Sequence, residues 1–369
     1  VRSWVIAVIA AAALGGCAAP VEELPWVDPG APGPFGVGAT TMTFVDSRDV
    51  ALTTEIWYPA EVEPGSAGDD YGKISAVGVA HRDAVSDLRW APYPLIAFSH
   101  GFGGIRYQST FLTEHLASHG FVVIAPDHPH NTMFDLDEDL ATEVAVARPE
   151  DIRASVDRLF EASSNGWFGL GDLVDPEAGY GMSGHSFGGW TTVAVAGGRF
   201  DPDFFAEHCA TTGDRACDFI GDLSAIPSVD VPEADPRVVA SAAMAPGAWY
   251  AFGEEGLRDV ARPLILGGSL DADMPYEEEI RALFDHLGDD RALLTIEGAG
   301  HWGFSDLCET LGLDVFEDCV GEAGGFVDPA ETAAITKEAV TAHFQAALRS
   351  DPRADAFLGV DRWGASWEE

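Results

Sequence analysis

The chain is poor in positive charge. Its 369 residues hold 20 Lys and Arg against 61 Asp and Glu, a net charge of −41, and the only lysines are Lys73 and Lys337. So acidic a surface repels nucleic acid and anionic lipid, and neither is expected as a partner. It also provides no long-range attraction for anionic substrates. Cysteine is sparse as well. The chain has five, none in a Cys-x-x-Cys spacing, which argues against a zinc site, and no metal is expected. The acidic run Asp135 to Asp139 lacks the loop glycine and twelfth-position glutamate of a calcium loop and reads as a solvated face. The apolar stretch Trp4 to Leu14 is too short to span a bilayer, and no internal repeat is evident.

That short stretch instead reads as an export signal. It ends in Leu14-Gly15-Gly16-Cys17, which resembles a bacterial lipobox. Residues 1–16 are therefore expected to be a lipoprotein signal peptide, with lipidation at Cys17 and anchoring to the outer membrane. Plain secretion is the alternative. Pro20, Pro25, Pro29, Pro32 and Pro34 follow with Gly30, Gly33 and Gly36, so residues 17–40 read as a Pro/Gly-rich tether. An exported chain can oxidise its remaining cysteines. Four cysteines allow three pairings, and the local pairing Cys209–Cys217 and Cys308–Cys319 is expected.

The chemistry-bearing segment is Gly184-His185-Ser186-Phe187-Gly188-Gly189. A short apolar stretch, Gly179 to Ser183, precedes it, and small residues from Trp190 to Ala196 follow. Strand, sharp turn and helix are the setting in which Gly-x-Ser-x-Gly exposes a nucleophilic serine. Three further strand ends carry matching parts. Leu95 to Phe98 runs into His100-Gly101-Phe102-Gly103-Gly104, a loop that supplies an oxyanion-hole N–H. The donors would be Phe102 and Phe187, the residue after the serine. Pro263 to Leu266 leads to a loop with Asp271 and Asp273. Asp271 has the Gly-x-x-Asp-x-x-x-Pro spacing and is expected to orient a histidine, with Asp273 in reserve. Leu293 to Ile296 leads to Gly298-Ala299-Gly300-His301. The order Ser186, Asp271, His301 is that of an α/β-hydrolase, each residue lying past a strand end. Trp249 and Trp302 are candidates for an aromatic substrate wall. His128 and His130 follow Pro126-Asp127 and are candidates for the cleft mouth.

The fold class is α/β: a mostly parallel central sheet with helices on both faces. Strands are predicted at Met42–Val45, Leu52–Tyr58, Leu95–Phe98, Phe121–Ala125, Val238–Met244, Leu264–Leu266 and Leu293–Ile296. Helices are predicted at Tyr107–Ser118, Glu150–Ala162, Glu277–Leu287 and Pro329–Leu348. Ile152, Val156, Leu159 and Phe160 share one face of the second helix. The hydrolase domain is assigned to residues 41–350 and a C-terminal tail to 351–369. Residues 61–92 read as a surface excursion. Residues 199–236, with Phe200, Phe204, Phe205, Phe219 and Ile220, read as a lid-like insertion after the nucleophile helix.

The chain resembles the α/β-hydrolase superfamily, and within it platelet-activating-factor acetylhydrolase and its bacterial relatives. The resemblance rests on Glu55-Ile56-Trp57-Tyr58-Pro59-Ala60, the Phe98 to Gly104 loop, Leu116-Ala117-Ser118-His119-Gly120-Phe121, Pro149-Glu150-Asp151-Ile152-Arg153 and the Gly184 to Gly189 elbow. The Asp271 and Gly-Ala-Gly-His-Trp segments are also similar to cutinase-like polyester hydrolases, which usually carry methionine where Phe187 stands. The resemblance implies a serine esterase acting through an acyl-enzyme on short-chain or phospholipid-like esters, without cofactor and as a monomer. A polyester hydrolase is the first alternative. A catalytically silent lipoprotein that binds a partner is the second.

Overall fold

The structure is a computed structural model that describes residues 24–71, 78–213, 217, 220–221, 223, 233–311, 316–361 and 364–368. Residues 1–16, read above as a signal peptide, and Cys17 and Phe219 lie outside the described residues. Among the described residues, ten strands form one sheet in the order β10-β9-β8-β7-β6-β4-β5-β2-β1-β3. Strands β4 (Leu95–Ser99), β5 (Val122–Pro126), β6 (Tyr180–His185), β7 (Val238–Met244), β8 (Pro263–Gly268) and β9 (Ala292–Ile296) run parallel to one another. β1 (Gly36–Val45) and β2 (Ala51–Ala60) pair antiparallel, and β2 joins them to β5, also antiparallel.

Burial shows why the parallel strands read as apolar runs. In β4, Leu95 and Ala97 enter one core while Ile96 and Phe98 enter the other. In β5, Val122 and Ile124 alternate in the same way with Val123 and Ala125. A strand covered on both faces needs apolar side chains at every position. Helices α2 (Ala141–Asn165) and α3 (Phe187–Ala196) cover the first face, burying Ile152, Val156, Leu159 and Trp190. Helix α1 (Thr110–Ser118) and the C-terminal helix Pro329–Arg349 cover the second, with Leu112, Leu116, Val340 and Phe344.

Several boundaries differ from the sequence reading. The assigned tether 17–40 runs into the folded body: β1 starts at Gly36, inside it. Just before β1, His115 and His119 of the α1 region donate to the carbonyls of Pro29 and Ala31, and the Gly33 N–H donates to Ser118 Oγ. The assigned tail 351–369 ends in a strand, β10 (Ala365–Glu368), which pairs antiparallel with β9. The excursion 61–92 holds β3 (Ala80–Arg82), parallel to β1. A three-residue strand lacks the length to show a period, so only its sheet partner defines it. Helix α2 starts at Ala141 and continues through Pro149. Proline withholds an N–H and disfavours helix before it, but buried Val144, Ala145 and Arg148 hold the extra turns in the core. The helix predicted at Glu277–Leu287 is a π turn, Tyr276–Arg281, running into the short helix Ala282–His286.

Candidate active site

Ser186 sits between β6 and α3 at φ 59° and ψ −121°, a backbone conformation that a non-glycine residue adopts only under constraint. The constraint is visible. The Ser186 N–H donates to the Met244 carbonyl of β7 at 2.9 Å, and Trp190 N–H donates back to the Ser186 carbonyl at 3.0 Å. A Cβ on Gly184 would lie 2.3 Å from the Gly188 carbonyl oxygen, and one on Gly188 would lie 1.8 Å from the Ser99 carbonyl oxygen. The elbow therefore closes only with glycine at both positions.

The loop after β8 carries Asp271. Its Oδ2 accepts from His301 Nδ1 at 2.8 Å, and its Oδ1 accepts the backbone N–H groups of Asp273 and Met274 at 2.9 and 2.7 Å. Of the two candidate carboxylates, Asp271 meets the histidine, and Asp273 lines the neighbouring cavity. Burial pulls the His301 pKa down, but the charge and hydrogen bond of Asp271, aided by Asp273 and Asp318, raise it above the ordinary imidazole value.

Ser186 and His301 open onto one cavity of about 230 Å³. Gly101 and Phe102, from the turn after β4, and Phe187, the first residue of α3, line it too. Trp302 is in the wall as expected, whereas Trp249 is not. The Trp249 ring stacks on His286 at 4.4 Å and its Nε1–H donates to the Glu278 carbonyl. Its place in the wall is taken by Trp190, with Met274 and Ile220. Trp190 lies one helical turn past Ser186, so the elbow pattern itself pointed to it. Ile220 comes from the 199–236 insertion, whose helix α4 (Pro202–Thr212) packs on the loop after β7 through Phe205 and His208 against Tyr250.

Sequence reasoning missed a buried relay behind the site. Gln108 Oε1 accepts the Gly101 N–H at 2.7 Å, so its amide nitrogen donates to His185 Nδ1 at 2.8 Å. His185 must then carry its proton on Nε2, which donates to the His301 carbonyl at 3.0 Å. Burial and the neighbouring His301 hold the His185 pKa well below the ordinary value, so the ring stays neutral.

Both disulfides form as expected, Cys209–Cys217 and Cys308–Cys319. The second braces the histidine loop. Beside Cys319, Asp318 accepts the Trp302 N–H at 2.7 Å, and Trp302 stacks on Phe316 at 4.0 Å. Each closed loop is short enough that its bridge should contribute about 2–3 kcal/mol. Replacing Cys308 and Cys319 by serine is therefore expected to lower the melting temperature and also kcat. The same change at Cys209 and Cys217 should cost stability with a smaller loss of kcat. Equal losses of kcat in the two double variants would count against a brace on the histidine loop.

The strand order, the elbow after β6 and the histidine–aspartate pair after β9 and β8 define the class of fold: the chain has the α/β-hydrolase fold. Residues 77–137 match the family described as platelet-activating factor acetylhydrolase, isoform II, and the chain resembles that family. Among solved structures it is similar to the ferulic acid esterase from Streptomyces cinnamoneus. The TM-score is 0.63 at 21% identity, covering 92% of this chain and 98% of that one. No curated protein matches the chain.

Proposed function

We propose that this protein is a serine carboxylic-ester hydrolase of short acyl esters, including phospholipid-like ones. Ser186 attacks the ester carbonyl, and His301 takes its proton and returns it to the leaving alcohol. Asp271 holds the imidazole with its proton on Nδ1 and stabilises the charged form. The Phe102 and Phe187 N–H groups bind the oxyanion, each donor contributing about 3 kcal/mol to lowering the barrier. Water then hydrolyses the acyl-enzyme.

The observation that carries this reading is a strained serine sharing a cavity with a buried histidine whose Nδ1 meets a carboxylate at 2.8 Å. The matched family is named for an acetylhydrolase and the structural neighbour for an esterase. The cavity supports the small acyl group. Its volume of about 230 Å³ lies below the roughly 300–1,000 Å³ of pockets for drug-sized ligands. Phe102, Phe187, Trp190, Met274 and Trp302 make its wall largely apolar. Across p-nitrophenyl esters of increasing chain length, kcat/KM is expected to peak at short acyl groups. A peak at long chains would overturn the substrate class while leaving the ester chemistry standing.

The reading also fixes the sign of the pH dependence. His301 must be neutral to accept a proton, so kcat/KM rises with pH through the His301 pKa. Because the surrounding carboxylates raise that pKa, the rise should fall above the ordinary imidazole range. Asp318→Asn keeps an oxygen for the Trp302 N–H and removes one negative charge. It should move the acid limb to lower pH, and an unmoved limb would show that Asp318 does not act on His301 through its charge.

A further inference from the structure

Behind the oxyanion loop lies a sealed polar cluster on which the proposed mechanism does not draw. Ser99, His100, His128 and Arg148 are 0% exposed and Asp151 is 2% exposed. Ser99 Oγ, His128 and Asp151 form a second serine–histidine–aspartate chain, with links of 2.9 and 2.9 Å. No substrate reaches it, and His128 is therefore not at the cleft mouth. The cluster instead surrounds the guanidinium of Arg148.

That guanidinium reaches both sides of the oxyanion hole. On the β4 side, Nη2 donates to the His100 carbonyl, two residues before Phe102, and to Ser99 Oγ at 2.9 Å. On the α3 side, Nε donates to Thr191 Oγ1 at 2.9 Å, and Thr191 Oγ1 donates to the Phe187 carbonyl at 2.9 Å. Its Cζ lies over the Phe187 ring, 4.4 Å from the ring centre. Nη1 donates to Asn131 Oδ1 at 2.6 Å, which fixes the rotation of the fork. Burial pulls the Arg148 pKa down to about 9, with Asp151 opposing, so the group is charged at neutral pH.

We infer that Arg148 is the positioning residue of the oxyanion hole, setting the separation of the Phe102 and Phe187 N–H donors by holding the turn after β4 and the start of α3 on one rigid fork. This rests on the proposed esterase reading. Two backbone donors from different elements must converge on one oxygen atom, and a small drift of either loses much of the rate. Arginine suits this task where lysine does not. A planar fork donates in fixed, diverging directions while stacking on a ring, whereas an ammonium is a flexible point charge.

The test measures kcat per active site, counted by fluorophosphonate titration, together with KM and the inhibition constant of a trifluoromethyl ketone. Arg148→Lys and Arg148→Met are compared with wild type and with Ser186→Ala. Both Arg148 variants are expected to lose about a hundredfold in kcat per titrated site, the scale of one oxyanion donor. KM should change little, and the ketone, which carries the oxyanion, should weaken in parallel with kcat. Thr191→Val keeps the guanidinium and removes the hydroxyl leading to the Phe187 carbonyl. It is the second arm if the Arg148 variants do not fold, and it should show the same split with a smaller loss. A merely structural arginine would lower the titrated fraction or the melting temperature and leave kcat per site alone. That result, or full rescue by lysine, overturns the inference. Esterase activity in Ser186→Ala would overturn the reading beneath it, which the Arg148 results alone would not do.

Discussion

Ser186→Ala is expected to cut kcat for ester hydrolysis by about 10⁶-fold, because the members of a catalytic triad act as a unit and losing the nucleophile costs as much as losing all three. The fold should survive. The substitution removes one hydroxyl oxygen at the cavity surface and leaves the bonds that hold the elbow, from the Ser186 N–H to the Met244 carbonyl and from Trp190 N–H to the Ser186 carbonyl. Alanine and serine carry similar strain at φ 59°, so the melting temperature should stay close to that of wild type. A fluorophosphonate should label the wild-type chain at Ser186 and leave the variant unlabelled. Labelling at a different serine, or turnover retained in the variant, would refute the assignment.

The second large effect is expected at Asp271. Asp271→Asn should lower kcat by about 10⁴-fold, the scale of the corresponding change in serine proteases. The geometry supplies the reason. Oδ1 accepts two backbone N–H groups, from Asp273 and Met274, so an asparagine would keep its oxygen there and turn its NH2 toward His301. Nδ1 would then have to accept, and the imidazole proton would move to Nε2. That nitrogen could no longer take the proton of the serine. Asp273→Asn changes only a charge near the cavity and should leave kcat within about tenfold, a loss small beside one of 10⁴. If instead Asp273→Asn is the crippled variant, the pairing of His301 with Asp271 does not operate in turnover.

Much of this was legible in the sequence because each part obeys a local rule. A nucleophile elbow needs glycines where two backbones nearly touch, and those glycines stand in the chain as Gly184 and Gly188. Buried parallel strands need apolar runs, and Leu95 to Phe98 and Leu264 to Leu266 are such runs. The Asp271 spacing to Pro275 identified the carboxylate that meets His301, and closeness in sequence identified both disulfides. Each of these signals lies within a few residues of the feature it specifies.

The remainder was decided in three dimensions, because it depends on groups distant in sequence. β10 is a strand only because β9 offers it an unpaired edge. α2 extends back through Pro149 because core contacts outweigh the local preference. Trp190 rather than Trp249 faces the cavity because the helix turns one ring inward while the other finds His286. The relay through Gln108 and His185, and the fork of Arg148 joining Ser99, His100, Asn131 and Thr191, span segments that no sequence period connects. Composition, elbow, order of the proposed catalytic residues and cysteine pairing belonged to the sequence alone. The second layer that holds the site in place came only with the tertiary structure, because a buried polar group is satisfied by whichever partners the fold brings within about 3 Å.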